Sequence, residues 1–422
     1  MKPQTWLVVL LSAPILLACS LENAGATTPS ASASATATLW GPSVVSTSSQ
    51  GFCAQNSTTN FVVDGSGSLN ASVIEVTASG QQVLDANDPL LASPMAIACN
   101  ASTVYIAVGS GTVYQIPIST GVASPFSTNN SFIPGGLAFS SDGTLYASAS
   151  NQAAIYRIPS AGGAAINTGI TGLASSGLHQ LAITGTTLYV VASFSNQVFL
   201  ASTQGGAATG LVSSALNEPS GIALDPGGNV WISNLNTNDF VLSNASLTTS
   251  QTVTPTGVLV QGPGGLAWIG GHLLTQNVNQ TGQPLVSLAT TTVSAAPRLL
   301  RLSLASSTSV TARWTAPGWN GNSHVASYTV TTPHGAEHCT TKTTSCMVTG
   351  LFPGRTYQFV VTANNAAGSS LASAPVSIAL PATPILPDTG SKFHSELILV
   401  VVLETIGLSL LLRRNRHAKR LR

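Results

Sequence analysis

Charge is scarce in this 422-residue chain: Asp, Glu, Lys and Arg together make up 6% of it, against roughly a quarter of an average soluble domain. Between Leu39 and Val293 stand eight acids (Asp64, Glu75, Asp85, Asp88, Asp142, Glu218, Asp225 and Asp239) and one base, Arg157. A stretch so poor in bases is not a nucleic-acid surface, because phosphate is held by basic patches. No C-x-x-C spacing occurs among the five cysteines, so neither a zinc site nor a dithiol redox centre is indicated. The G-x-S-x-G elbow, the H-E-x-x-H helix, the phosphate-binding P-loop and the Arg-Gly-Asp tripeptide are all missing, and with them the nucleophile and metal chemistries they support. No catalytic residue is assigned.

What is present is apolar and rich in turns. Hydrophobic residues make up 44% of the chain, with 39 glycines and 23 prolines. Enough core-forming side chains are available to fold despite the low charge, and the length suggests two or three domains.

Internal periodicity is the strongest signal. An apolar residue followed by Ala recurs at Ile97-Ala98, Leu137-Ala138, Leu181-Ala182, Ile222-Ala223 and Leu266-Ala267, at spacings of 40, 44, 41 and 44. Eight or nine residues after each anchor comes a second strand, marked by Tyr105, Tyr146, Tyr189, Trp231 and Leu274. A third carries Tyr114, Tyr156, Phe199, Phe240 and Leu285. Between the first two lie hairpin residues such as Asp142-Gly143 and Pro226-Gly227-Gly228-Asn229, where Gly and Asn admit positive φ.

A period near 42 built of three or four strands fits one blade of a β-propeller. Gly51 to Pro94 fits a more irregular first blade, giving six. The run from Pro219 to Trp231 resembles the repeat of NHL-type propellers and of the related streptogramin-lyase and gluconolactonase families. The fold class expected is all-β, with the propeller over 39–293 and Leu39 to Ser46 completing its last blade. The resemblance implies a ligand at the channel mouth. His179, Gln180, Asn217 and Glu218 enter the inner strands there, and Asn151, Asn196, Asn234, Asn236 and Asp239 join the second and third strands. It also implies a calcium or magnesium ion among Glu, Asp and Asn, or work by His and Glu. Asn in such loops serves turn chemistry as well, so both readings stay open.

Residues 295–380 form a different unit. Trp314, the Gly350-Leu351-Phe352-Pro353-Gly354-Arg355-Thr356-Tyr357 run and the alternation Tyr357, Phe359, Val361 resemble a fibronectin type III domain. Trp314 would be its core tryptophan and Tyr357 its tyrosine corner.

The ends read as addresses. Met1 to Ala26 has the form of an export signal, with Lys2 before an apolar run. Cleavage after Ala24-Gly25-Ala26 and a lipoprotein-type processing at Cys19 both remain open. Residues 27–38 are a Ser/Ala/Thr-rich linker. At the far end, within 381–422, Leu386-Pro387-Asp388-Thr389-Gly390 precedes an apolar stretch, Leu397 to Leu412, and a basic tail. That order resembles the sorting signal of Gram-positive surface proteins, which implies sortase cleavage after Thr389 and attachment to peptidoglycan. The sixteen apolar-stretch residues make roughly 24 Å of helix, short of a ~30 Å hydrocarbon core. Glu404 lies near its middle, and a plain membrane anchor is the alternative. With Cys19 set aside, Cys339 and Cys346 are expected to pair across a hairpin, and Cys53 and Cys99 to pair between the first two blades or to stay as buried thiols.

The function expected is a wall-anchored surface protein that binds an extracellular protein or carbohydrate, with an extracellular lactonase- or lyase-type propeller enzyme as the alternative.

Overall fold

The computed structural model describes residues 33–382 apart from 44, 46–48, 66–69, 129–130 and 333–337. The expected signal, Cys19, the Leu386–Gly390 pentapeptide and the apolar stretch lie outside the described residues. Among the described residues no helix is long and apolar enough to cross a membrane. The chain divides into two compact units. One comprises Met1–Pro297, Pro317–Tyr328 and Thr362–Leu371, the other Arg298–Ala316, Thr329–Val361 and Ala372–Arg422.

The first unit is built around six mainly antiparallel sheets in sequence order, with a small parallel pair, Ile170–Thr171 and Gly206–Ala207, beside them. Their first strands are Ser49–Asn56, Pro94–Cys99, Pro134–Phe139, Leu178–Thr184, Pro219–Leu224 and Pro263–Ile269. Every expected second-strand marker, from Tyr105 to Leu274, falls in the strand after its anchor, and every third-strand marker in the next. Each of the six first strands breaks its register near its start, as between Pro134 and Gly136 and between Pro219 and Ile222. A bulge at that point bends and twists the strand.

The sheets are not hydrogen-bonded into a closed barrel. They stack through separate apolar layers. Phe61, Val73 and Cys53 of sheet one meet Ile97, Val104 and Ile106 of sheet two. Equivalent layers join two to three, three to four, four to five and five to six. A last one places Leu274 and Leu285 of sheet six against Phe52, Val62 and Ile74 of sheet one. The arrangement is propeller-like: each sheet alone would expose both apolar faces, and stacking buries them.

Sheet six is completed by an N-terminal strand, but not the one expected. Ser34–Leu39, rather than Leu39 to Ser46, pairs antiparallel with Leu285–Thr291 and parallel with Thr256–Gly257. Residues 34–38 of the Ser/Ala/Thr-rich segment are therefore strand, not linker. The reason is alternation: Ala35 and Ala37 are buried against the Trp231, Phe240 and Leu288 layer, while Ser34, Thr36 and Thr38 point outward. Small side chains at period two fit a tightly stacked edge as well as they fit a linker.

The first strands run close together. A Cβ on Gly135 would lie 1.8 Å from the Leu178 carbonyl oxygen, and one on Gly221 2.5 Å from that of Gly264. Hydroxyls stitch neighbouring sheets where charge is absent. Ser148 Oγ donates to the His179 carbonyl at 2.6 Å, Ser233 Oγ to that of Gly264 at 2.6 Å, and Ser193 Oγ to that of Pro219. In sheet five, buried Asp225 organises its hairpin. It accepts from Gly227 N, Asn229 N, Asn229 Nδ2 and Trp231 Nε1.

Residues 295–380 form a sandwich. Arg298–Ser306, Ser309–Thr315 and Ser345–Val348 make one sheet, and His338–Thr341, Ser327–Thr331, Thr356–Asn365, Gly368–Ser369 and Val376–Ala379 the other. Trp314 is buried, as are Phe359 and Val361. The Tyr357 hydroxyl accepts from Phe352 N at 2.9 Å, the backbone bond of a tyrosine corner. Both cysteine pairs form disulfides, with Cα separations of 5.9 Å for Cys53–Cys99 and 6.3 Å for Cys339–Cys346. The second corrects the hairpin expectation: its two strands belong to different sheets, so the bond clips the sandwich together.

Candidate functional site

The first strands converge on a cavity of about 110 Å³, lined by one or more residues from each of the six sheets, among them Gly51, Met95, Gly136, His179, Ser220 and Gly265. Gly51, Gly135, Gly136 and Gly265 let the strands approach closely there. A larger open concavity of about 300 Å³ lies on the outer hairpin of sheet one, around Glu75, Thr77 and Gln82. It has no apolar floor, and Gln82 Nε2 already occupies Glu75 Oε2 at 2.5 Å. The six-strand cavity is the better site.

Its polar element is Gln180. The side chain crosses from sheet four, donating Nε2–H to the Leu266 carbonyl at 2.7 Å and accepting on Oε1 from Ile222 N at 3.0 Å and Leu266 N at 2.8 Å. The two bonds from Oε1 use both lone pairs of an amide oxygen, so sheets four, five and six are tied at the axis. This residue works as a structural crossbar.

Beside it, His179 is half-buried. Its ring meets Phe194 edge-on, with centroids 6.2 Å apart, and the carboxylate of Glu218 acts on it electrostatically. Burial pushes the imidazole below its ordinary value of 6.5, and the Glu218 charge opposes that shift. The imidazole therefore stays neutral at pH 7. Phe194 is 73% exposed. Around the same rim, Met95, Ile133 and Leu259 are also exposed, all in or just before first strands.

The Asn candidates prove to be loop latches. Asn151 Oδ1 accepts from Ile133 N at 3.0 Å, and Asn196 Oδ1 from Glu218 N at 2.6 Å. Asn234 Oδ1 accepts from Asn217 N at 3.0 Å, while its Nδ2 donates to Ala215 O and to Asp239 Oδ1, each at 2.7 Å. Asp239 also accepts from Thr237 Oγ1 at 2.7 Å. Asn277 and Asn238, which no sequence signal singled out, do the same for Gln261 N and Gly262 N. These side chains hold the backbone just before Pro134, Pro219 and Pro263 and have little left for a ligand. Of the candidates, His179 and Glu218 are brought together, with Phe194 as the residue missed.

Among the described residues no three of His, Cys, Asp and Glu gather where they could hold a metal ion.

The fold defines an all-β protein that joins propeller-like sheets to a sandwich module. Residues 295–379 match the fibronectin type III domain. No curated protein matches the chain. Among solved structures it is similar to a protein of unknown function from Bacteroides thetaiotaomicron VPI-5482, at 14% identity and a TM-score of 0.50, covering 61% of this chain and 76% of that one. It is similar to a streptogramin B lyase at 10% identity and a TM-score of 0.45, covering 60% of this chain and 97% of the other. A virginiamycin B lyase from Staphylococcus aureus matches at 15% identity and a TM-score of 0.44, over 56% and 78%. The likeness to the Bacteroides protein speaks for the fold alone.

Proposed function

We propose that this is an exported, surface-attached binding protein whose six sheets form a six-bladed β-propeller of NHL type. Its rim of Phe194, His179 and Glu218 takes an extracellular protein or carbohydrate ligand. The fibronectin type III domain is a spacer, and sortase joins Thr389 to peptidoglycan. The observation that carries the binding reading is the solvent-facing Phe194 ring edge-on to the His179 imidazole, on which the Glu218 carboxylate acts. An aromatic face next to a few fixed polar groups suits sugar rings and peptide side chains alike. The two disulfides support an oxidising exterior, and the pentapeptide, apolar stretch and basic tail in that order support the tether. A lactonase- or lyase-type propeller enzyme is the alternative, with His179 and Glu218 as its candidate groups. The test is to display the full chain against arrays of glycans and peptides, and to fractionate cells expressing Thr389→Ala. The variant is expected to move from the wall to the membrane fraction. An unchanged distribution would refute the tether.

A further inference from the structure

The sandwich carries an unbalanced charge. Residues 298–361 hold Arg298, Arg301, Arg313, Lys342 and Arg355 against a single acid, Glu337, which lies outside the described residues. Three of these arginines share one exposed sheet face. Arg301 stands directly opposite Arg313 across the ladder, with Ser345 next in the same row, and Arg298 stands opposite Thr315. Paired residues of a ladder point to one side, so Arg298, Arg301 and Arg313 project together with Ser303, Thr311, Thr315, Ser345 and Met347. Their opposite neighbours Val310, Ala312 and Trp314 are buried. None of the three strands contains an acid.

Like charges placed directly opposite on a ladder are destabilising. Here two guanidinium groups meet that way with a third close by, on a protein that otherwise avoids charge. A partner that supplies the missing anions offsets this cost. We propose that this face binds a phosphate-bearing polymer, a chain of polyol or sugar units joined by phosphodiesters. Planar guanidinium forks match phosphate oxygens two at a time, and the interleaved Ser and Thr hydroxyls add neutral donors. The basic and hydroxyl side chains run along the ladder in rows, which suits an extended chain rather than a single phosphate. It carries no aromatic ring on which a base could stack, which disfavours single-stranded nucleic acid. Met347 is its one large apolar side chain, too little for docking on a lipid surface, where apolar groups must insert.

The test measures binding of the full chain to poly(glycerol phosphate) of defined length. Affinity is expected to fall on the order of 30-fold between 50 and 200 mM salt, as for two to three neutralised phosphates. The Arg301→Gln/Arg313→Gln double variant is expected to bind at least about tenfold more weakly at the lower salt, with a flatter salt dependence. Its melting temperature should be unchanged or raised, because the repulsion is relieved. Arg355→Gln, at a site where the guanidinium stacks on Phe352, should bind like the parent. The Arg301→Lys/Arg313→Lys variant keeps the charge without the fork and should fall between parent and double variant. Undiminished binding by the glutamine pair, parent-like binding by the lysine pair, no binding by the parent at low salt, or tighter binding to single-stranded DNA or to anionic phospholipid vesicles would each overturn the proposal.

Discussion

Gln180 and Leu266 lie 86 positions apart and exchange two hydrogen bonds: the side-chain amide nitrogen donates to the Leu266 carbonyl at 2.7 Å, and the amide oxygen accepts from the Leu266 N–H at 2.8 Å. One side chain thus satisfies both backbone groups of a bulged strand where its own ladder is interrupted. Replacing it by Ala leaves those groups and the Ile222 N–H without partners near the axis. Gln180→Ala is expected to lower stability by about 3 kcal/mol, since each part-buried orphan costs about 1 kcal/mol or more. Urea unfolding of the full chain measures it, and a loss under ~1 kcal/mol would show that water replaces the amide freely.

Closure by Ser34–Leu39 makes a second expectation. Ala37 is 1% exposed, inside the layer that holds Trp231 and Leu288. Ala37→Asp would bury an unpaired carboxylate there and should cost about 3 kcal/mol or more. Thr38→Asp, on the outward face, should change stability by about 0.5 kcal/mol at most. Equal effects from the two would contradict the register.

The two disulfides should differ in weight. Cys53–Cys99 closes a sequence separation of 46, Cys339–Cys346 one of 7. In the chain-entropy picture the first contributes about 4 kcal/mol and the second about 2.5. Removing each pair by double Ala substitution and comparing melting temperatures should rank them in that order.

His179 gives a pH signature. Its folded value lies below 6.5 because burial disfavours the imidazolium, with Glu218 working the other way. The unfolded chain therefore binds the proton more readily. The contribution of the neutral ring to stability is complete above about pH 6.5 and is lost as pH falls through the lowered folded value. His179→Gln should flatten the stability curve below pH 6.5. A steeper curve in the variant would mean that Glu218 outweighs burial.

Much of this architecture was legible in the sequence, because the aromatic at the second strand and the apolar-Ala anchor before it repeat at a fixed period. Tyr189 and Trp231 are fully buried and could be placed by counting. The closing strand was harder. Ala35 and Ala37 alternate with hydroxyl residues, and such a run reads equally as linker until its partner strand is known. Cys339 and Cys346 lie so near in sequence that a hairpin is the simplest inference, and only the sheet order separates their strands. The axial role of Gln180 and the rim position of Phe194 depend on contacts between sheets that no local pattern encodes. Asn196 and Asn234 were recognisable as polar rim residues, but whether an amide faces a ligand or a backbone N–H is decided by the loop it latches.

The most direct test of the rim as a binding site compares the parent with Phe194→Ala and His179→Ala against every glycan or peptide the full chain retains. Both side chains are surface or half-buried, so folding should survive the changes. The account predicts that affinity falls at least about tenfold in the Phe194 variant, roughly the loss of one aromatic contact of 1.4 kcal/mol, with a smaller fall for His179→Ala. Ligands retained equally by the parent and both variants would contradict it and place recognition elsewhere on the molecule.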